Sequence, residues 1–187
     1  MIIAQSKRKS NIVEYILYMY QIEDIIRSLN FDLGLIDQMI VQKYEQNDQV
    51  KQQIKVWFES LANQMQKEEK QKNGHLNAHI ELINELSKLH EEVMNTVQDK
   101  EYIESYEKTR PFLKELVLKS GGEQMNSEVE VGIHGLYGLL VLRLKRQEIA
   151  DETEKAFKTV SNFLAHLAVY FHKKENGEFL LKKEQYN

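Results

Sequence analysis

Apolar residues recur along this chain at three- and four-residue intervals almost from its start, the spacing that lines up one face of an α-helix. The first run is Ile12, Tyr15, Met19, Ile22, Ile26 and Leu29, opened by Asn11 with Glu14 three residues on, a capping-box pattern. A shorter helix follows through Leu33, Ile36, Ile40 and Tyr44, with Asn30 and Asp32 as punctuation. Asp48 stands where a cap belongs, and Val50, Ile54, Trp57, Phe58, Leu61 and Met65 form the stripe of a third helix. The chain then turns wholly polar from Gln66 to Asn73, which predicts two protruding turns before a stop at Gly74. Trp57 is expected to be largely buried where the third helix meets the fourth.

The fourth helix is predicted from Gly74 to about Gln98, on Leu76, Ile80, Ile83, Leu86, Leu89, Val93 and Val97, and should make an antiparallel hairpin with the third. Asp99 can cap a fifth helix carrying Tyr102, Ile103 and Tyr106; Pro111 lacks an amide hydrogen and predicts a kink or restart, and Gly121-Gly122 an end. Ser127 with Glu130 opens a sixth helix, from about Glu128 to Gln147. Its Val129, Val131 and Ile133 alternate as in a strand, but the cap and the length of the apolar run select a helix. Apolar residues surround its axis, so a central position is expected. Asp151 with Glu154 opens the last helix, on Phe157, Val160, Phe163, Leu164, Leu167 and Phe171. The expected fold is all-α: one domain over residues 1–187, a bundle of six to seven helices with no sheet. The basic leader 1–10 and the polar tail 175–187 are expected to be loosely ordered.

Composition narrows the function classes. One proline and eight glycines in 187 residues are too few breakers for a sheet protein with many tight turns. The absence of cysteine excludes disulfides, thiolate metal sites and a cysteine nucleophile, and fits a reducing compartment, with the cytoplasm as the default. Only Ile2, Ile3 and Ala4 precede the polar and basic stretch that begins at Gln5, too short an apolar run for a signal peptide. The most apolar segment, Gly132 to Leu142, is interrupted by His134 and falls short of the ~20 residues of a membrane span, so a soluble protein is expected. A net charge of −4 argues against a bulk grip on nucleic acid or anionic lipid. Lys7, Arg8 and Lys9, and Arg143, Lys145 and Arg146, have ordinary roles as a solvated leader and as cations near a helix C-terminus.

Three segments carry a resemblance: MIIAQSKRKSNIVEYILYMYQIEDIIR at the start, GLYGLLVLRLKRQEI, and the stretch holding ETEKAF and SNFLAHLAVYF. With similar overall length, they resemble the bacterial DUF4924 proteins over essentially the whole chain. That resemblance implies a predominantly helical fold and a cytoplasmic setting. The family being of unknown function, it implies no activity, ligand or catalytic residue.

The residues themselves offer few chemical leads. His75 and His79 share the spacing of a helical zinc pair, but the glutamate that a metalloprotease helix needs beside the first histidine is missing. His79 and His90 project near the centre of an apolar arc, where each should be half-buried and satisfied by a carbonyl or carboxylate. No histidine has Glu or Asp three residues upstream, no phosphate-binding loop exists, and the glycines at 121, 122, 132, 135 and 138 make no dinucleotide fingerprint. No metal site or cofactor is predicted, and no serine-nucleophile motif is present. Gly132, Gly135 and Gly138 define a helix groove, expected to serve tight packing first and a flat ligand second. Arg143 falls on the helical wheel between Leu136, Leu139 and Leu140, so a carboxylate from another helix should meet it. Glu23, on the side of Ile12, Ile16 and Met19, is the expected partner, while Asp24 points outward to Arg27.

Two functional readings follow. The first is a non-enzymatic helical interaction protein, acting as a homodimer or on a partner helix, whose mark would be an exposed apolar patch. The alternative is a small-molecule-binding protein or enzyme with a polar pocket in the bundle, where Glu23, His134 and Arg143 converge as ligand-binding residues.

Overall fold

The computed structural model describes residues 1–119 and 125–178, and among them the chain forms eight α-helices and no strand. Contacts gather the chain into two compact units, one of residues 1–10 and 14–81, the other of residues 11–13 and 82–187.

In the first unit, α1 (Ile2–Ser10), α2 (Ile12–Ser28, from Glu14 on), α3 (Leu33–Met39) and α4 (Asp48–Lys67) share a core with Leu76, the residue before α5 (Asn77–Glu92). The expected loose leader is a helix: Ala4 is 5% exposed and packs into the cluster that holds Met19, Phe58 and Met65. That extra segment raises the helix count above the six to seven expected. Asp32 caps α3, its Oδ1 accepting from Gly34 N at 2.8 Å and Leu35 N at 3.0 Å. Asn47, not Asp48, caps α4, accepting from Val50 N at 2.9 Å.

α4 stops at Lys67, so the two protruding turns do not form. Glu69 takes a left-handed conformation (φ 58°) and the amide of Lys70 reaches back to Met65 O at 2.7 Å, closing the helix without a glycine. Trp57 is partly buried, packed against the core of the first unit. Its ring lies edge-on to Phe58, 5.1 Å between centroids, and it is Phe58 that is fully enclosed.

In the second unit, α5 runs into a π-helical turn (Val93–Val97) that ends at left-handed Gln98. Asp99 then caps α6 (Lys100–Lys119) through Tyr102 N at 2.8 Å. α6 continues through Pro111 without the expected restart; Pro111 is exposed, so the backbone acceptor it leaves unmatched faces water. The predicted stop at Gly121-Gly122 lies outside the described residues, as do 179–187 of the tail. Ser127 caps α7 (Glu128–Leu144), accepting from Glu130 N at 3.1 Å, and the segment that alternates like a strand is helical. α8 (Asp151–Glu175) begins from Ala150 with no side-chain cap; Asp151 is its first helical residue, where its charge complements the helix dipole instead of capping.

α6 and α7 run parallel. Tyr106 hydrogen-bonds Glu128, a Cβ on Gly132 would touch Leu113, and one on Gly135 would touch Leu116, the numbers rising together. α8 runs antiparallel to α7, since Gly132 faces Val160 and Leu164 while Gly135 faces Phe157. The expectation of a central α7 holds only for its first half, where Val129, Val131, Gly132 and Ile133 are buried. Beyond Gly135 the inward side is carried by Leu139, while Tyr137, Leu140 and Val141 are half-buried and Leu144 is 64% exposed.

The glycines divide the same way. A Cβ on Gly132 would lie 3.3 Å from Leu164 Cδ1 and 3.3 Å from Val160 Cγ1, whereas one on Gly138 meets nothing within 4 Å. Gly138→Ala is therefore expected to stabilise the protein by about 0.5 to 1 kcal/mol through helix propensity. Gly132→Val should lose about 1 to 3 kcal/mol by overpacking. Thermal melts of the two variants shifting in the same direction would contradict this reading of α7.

Candidate functional site

The most concentrated polar chemistry in the first unit centres on Glu23, whose side chain is fully buried. α2 presents Glu23 and Arg27 one turn apart, towards the connection between α4 and α5. Arg27 Nη1 donates to the carbonyls of Lys70 at 3.1 Å and Gly74 at 2.9 Å, and Gly74 supplies the positive φ (76°) that the turn needs. The connection then delivers His75 and, one turn later on α5, His79. His75 Nδ1 lies 2.7 Å from one Glu23 oxygen and His79 Nδ1 2.6 Å from the other. Glu68 closes the start of α5 by accepting from Asn77 N at 2.7 Å.

Burial alone would raise the Glu23 pKa, but hydrogen bonds from His75 and His79 and the charge of the two imidazoles outweigh it, and the net shift is downward. An ionised carboxylate only accepts, so both rings donate Nδ1–H to it, and a neutral ring keeps its lone pair at Nε2. Tyr20 stacks on His75 with ring planes 4° apart, and Tyr15 sits edge-on to His79 at 5.8 Å. Carboxylate-oriented imidazoles serve elsewhere as bases and metal ligands. Here the His79 side chain is 5% exposed and that of His75 14%, and among the described residues no cluster of three or more His, Asp or Glu is arranged to hold a metal ion. The arrangement is that of a buried pin fastening the α4–α5 connection to α2.

The second unit has its own polar cluster among aromatic rings. His90 Nδ1 and the Tyr102 hydroxyl hydrogen-bond at 2.7 Å, and Phe163 meets both rings. Burial holds the His90 imidazole below its ordinary range, despite the opposing charges of Glu128 and Glu91. The Tyr106 phenol is pushed up to about 12, by burial first and by its bond to Glu128 second.

The three residues singled out from the sequence fall in both units. Glu23 belongs to the first unit, with His75 and His79 as its partners. His134 is half-buried on α7 in the second unit. Arg143, also on α7, is expected to pair with Glu23 but instead meets Glu154 of α8, with Nε 3.3 Å from Oε1, and its side chain is 53% exposed. The wheel places Arg143 on the correct side of α7, facing α8; it lies in the last turn, where the guanidinium reaches water. For His79 a carbonyl or carboxylate is expected, and the partner is the Glu23 carboxylate. His75 as the second arm of the same carboxylate was missed, the one available signal being its four-residue spacing from His79.

A family model described as a domain of unknown function, DUF4924, matches residues 1–178. Neither the comparison with curated proteins nor that with solved structures returns a match. Among the described residues no helix is long and apolar enough to cross a membrane.

Proposed function

We propose, for a chain that belongs to the DUF4924 family, the role of a non-enzymatic helical interaction protein that self-associates through a partly exposed apolar stripe of α7. The observation that carries this reading is a second apolar stripe. Tyr137, Leu140, Val141 and Leu144 stand at i, i+3, i+4 and i+7, on the side of α7 turned away from Leu139, and none of them is fully buried. Such a stripe is what one helix offers another.

The occupant is a second copy of the same face. The stripe carries no charge, and a two-fold axis near Leu140 and Val141 sets Leu144 of one copy against Tyr137 of the other, a self-complementary pairing. A cytoplasmic setting belongs to this reading and is supported by the lack of cysteine.

Sedimentation at micromolar concentration is expected to give a dimer. Val141→Glu and Leu144→Glu should each weaken it by about tenfold or more, since a carboxylate would be desolvated at the pairing face. Leu118→Glu, at a residue 83% exposed on α6 and off the stripe, should leave dimerisation intact. A monomer at every concentration, or a dimer indifferent to both α7 substitutions, overturns the proposal.

A further inference from the structure

We infer that the groove between α7 and α8 is a binding site for an organic anion with an apolar body, of the class of a medium-chain carboxylate. The groove encloses about 370 Å³, within the range of small-ligand sites. Its floor is apolar, made by Leu136 and Leu139 of α7 and Phe157 of α8. Its rim is cationic: Arg143, Lys155 and Lys158 stand against the single carboxylate of Glu154, with the Ser161 hydroxyl further along α8. Floor and rim thus ask for two properties in one molecule, a hydrocarbon part and a negative head.

Glu154 tells where the head goes. Its carboxylate sits on the Arg143 guanidinium, Nε to Oε1 at 3.3 Å, with a second contact from Nη2. Both side chains are substantially exposed, 53% and 39%, and an ion pair at such a position is weak. A ligand carboxylate can displace it at small cost and take the same two-pronged geometry, which suits guanidinium better than ammonium. Lys155 and Lys158 would then balance the two carboxylates that share the rim. Glu154 is in this view a placeholder that competes with the ligand.

The groove lies on the side of α7 facing α8, whereas the proposed dimer stripe faces away from it, so the two readings fail separately. Calorimetric titration with octanoate tests the site, with 1-octanol, octylammonium and inorganic phosphate as comparators. Octanoate is expected to bind saturably, with the alcohol and the ammonium ion silent and phosphate weaker for lack of a hydrocarbon part. Arg143→Met should weaken octanoate binding by about tenfold, equivalent to about 1.4 kcal/mol. Glu154→Gln should tighten it severalfold by removing the competitor. Because both residues are exposed, neither change should unfold the protein, and an unchanged thermal midpoint confirms that. Val141→Glu should leave octanoate binding as it is. Absence of saturable binding at millimolar octanoate, equal binding of octylammonium or of phosphate, or weaker binding by Glu154→Gln each overturns the inference.

Discussion

Replacing Glu23 with alanine is expected to cost about 3 to 5 kcal/mol of folding stability, a large part of the 5 to 15 kcal/mol typical of a folded protein. The side chain is fully buried and serves two imidazole donors at 2.7 and 2.6 Å, with the Leu76 amide at 3.5 Å. Its removal leaves both imidazole N–H groups without an acceptor in a space too enclosed for easy hydration, and leaves Arg27, 4.0 Å away, without its second carboxylate. Glu23→Gln should cost much less. One amide oxygen still accepts, and a neutral imidazole can move its proton to Nε2 and accept from the amide nitrogen.

The pH dependence has a definite sign. Folding lowers the Glu23 pKa from 4.5, so around and just below that value the unfolded chain binds more protons than the native one and stability rises with pH. The contribution is complete above the ordinary carboxylate range and is lost as the pH falls from about 4.5 through the depressed native value. Urea melts from neutral to acidic pH should show this acid limb in the parent protein and a flatter one in Glu23→Gln. Superimposable limbs would show that Glu23 is not the pin.

Phe163→Ala should be nearly as damaging, at about 3 to 5 kcal/mol. The ring is fully buried and touches His90 at 5.5 Å, Tyr106 at 5.6 Å and Tyr102 at 5.7 Å between centroids, so its loss opens a cavity among rings that depend on it for their orientation. Phe163→Leu, which keeps most of the volume, should cost about 1 to 2 kcal/mol. His90 supplies a second readout. Burial keeps its imidazole below 6.5, and water entering the alanine cavity should move the titration back up towards that value. An NMR titration of His90 unchanged in Phe163→Ala would contradict the cavity argument even if the melting temperature fell.

Much of the helical framework was legible in the sequence because periodicity and caps are local. Ser127 and Asp99 cap the helices assigned to them, and the α4 stripe delivers Ile54, Phe58, Leu61 and Met65 to the core as its spacing implies. The boundaries that were misjudged turn on what the pattern does not carry. α1 is a helix because Ala4 has a core to enter, a tertiary reason invisible in a short basic segment. α4 ends at a left-handed glutamate rather than at the next glycine. Glu23 was recognisable as a charge on an apolar face, and so was the need of His79 for a carbonyl or carboxylate. Matching them requires knowing that residues more than fifty positions apart meet. Opposite charge alone pointed to Arg143, which satisfies itself eleven residues away on Glu154.

The clasp made by α2 changes what kind of segment joins α4 to α5. A surface connection of this composition, with Lys67, Glu68, Glu69, Lys70, Gln71 and Lys72 in succession, would ordinarily drift in length between homologues. Here two carbonyls are read by Arg27 and two imidazoles by Glu23, at fixed positions along the chain. One inserted or deleted residue between Lys70 and His79 would put the wrong group in front of at least one of those side chains. The segment is thereby measured out residue by residue, like a ruler between two helices, and length variation in the family should fall elsewhere.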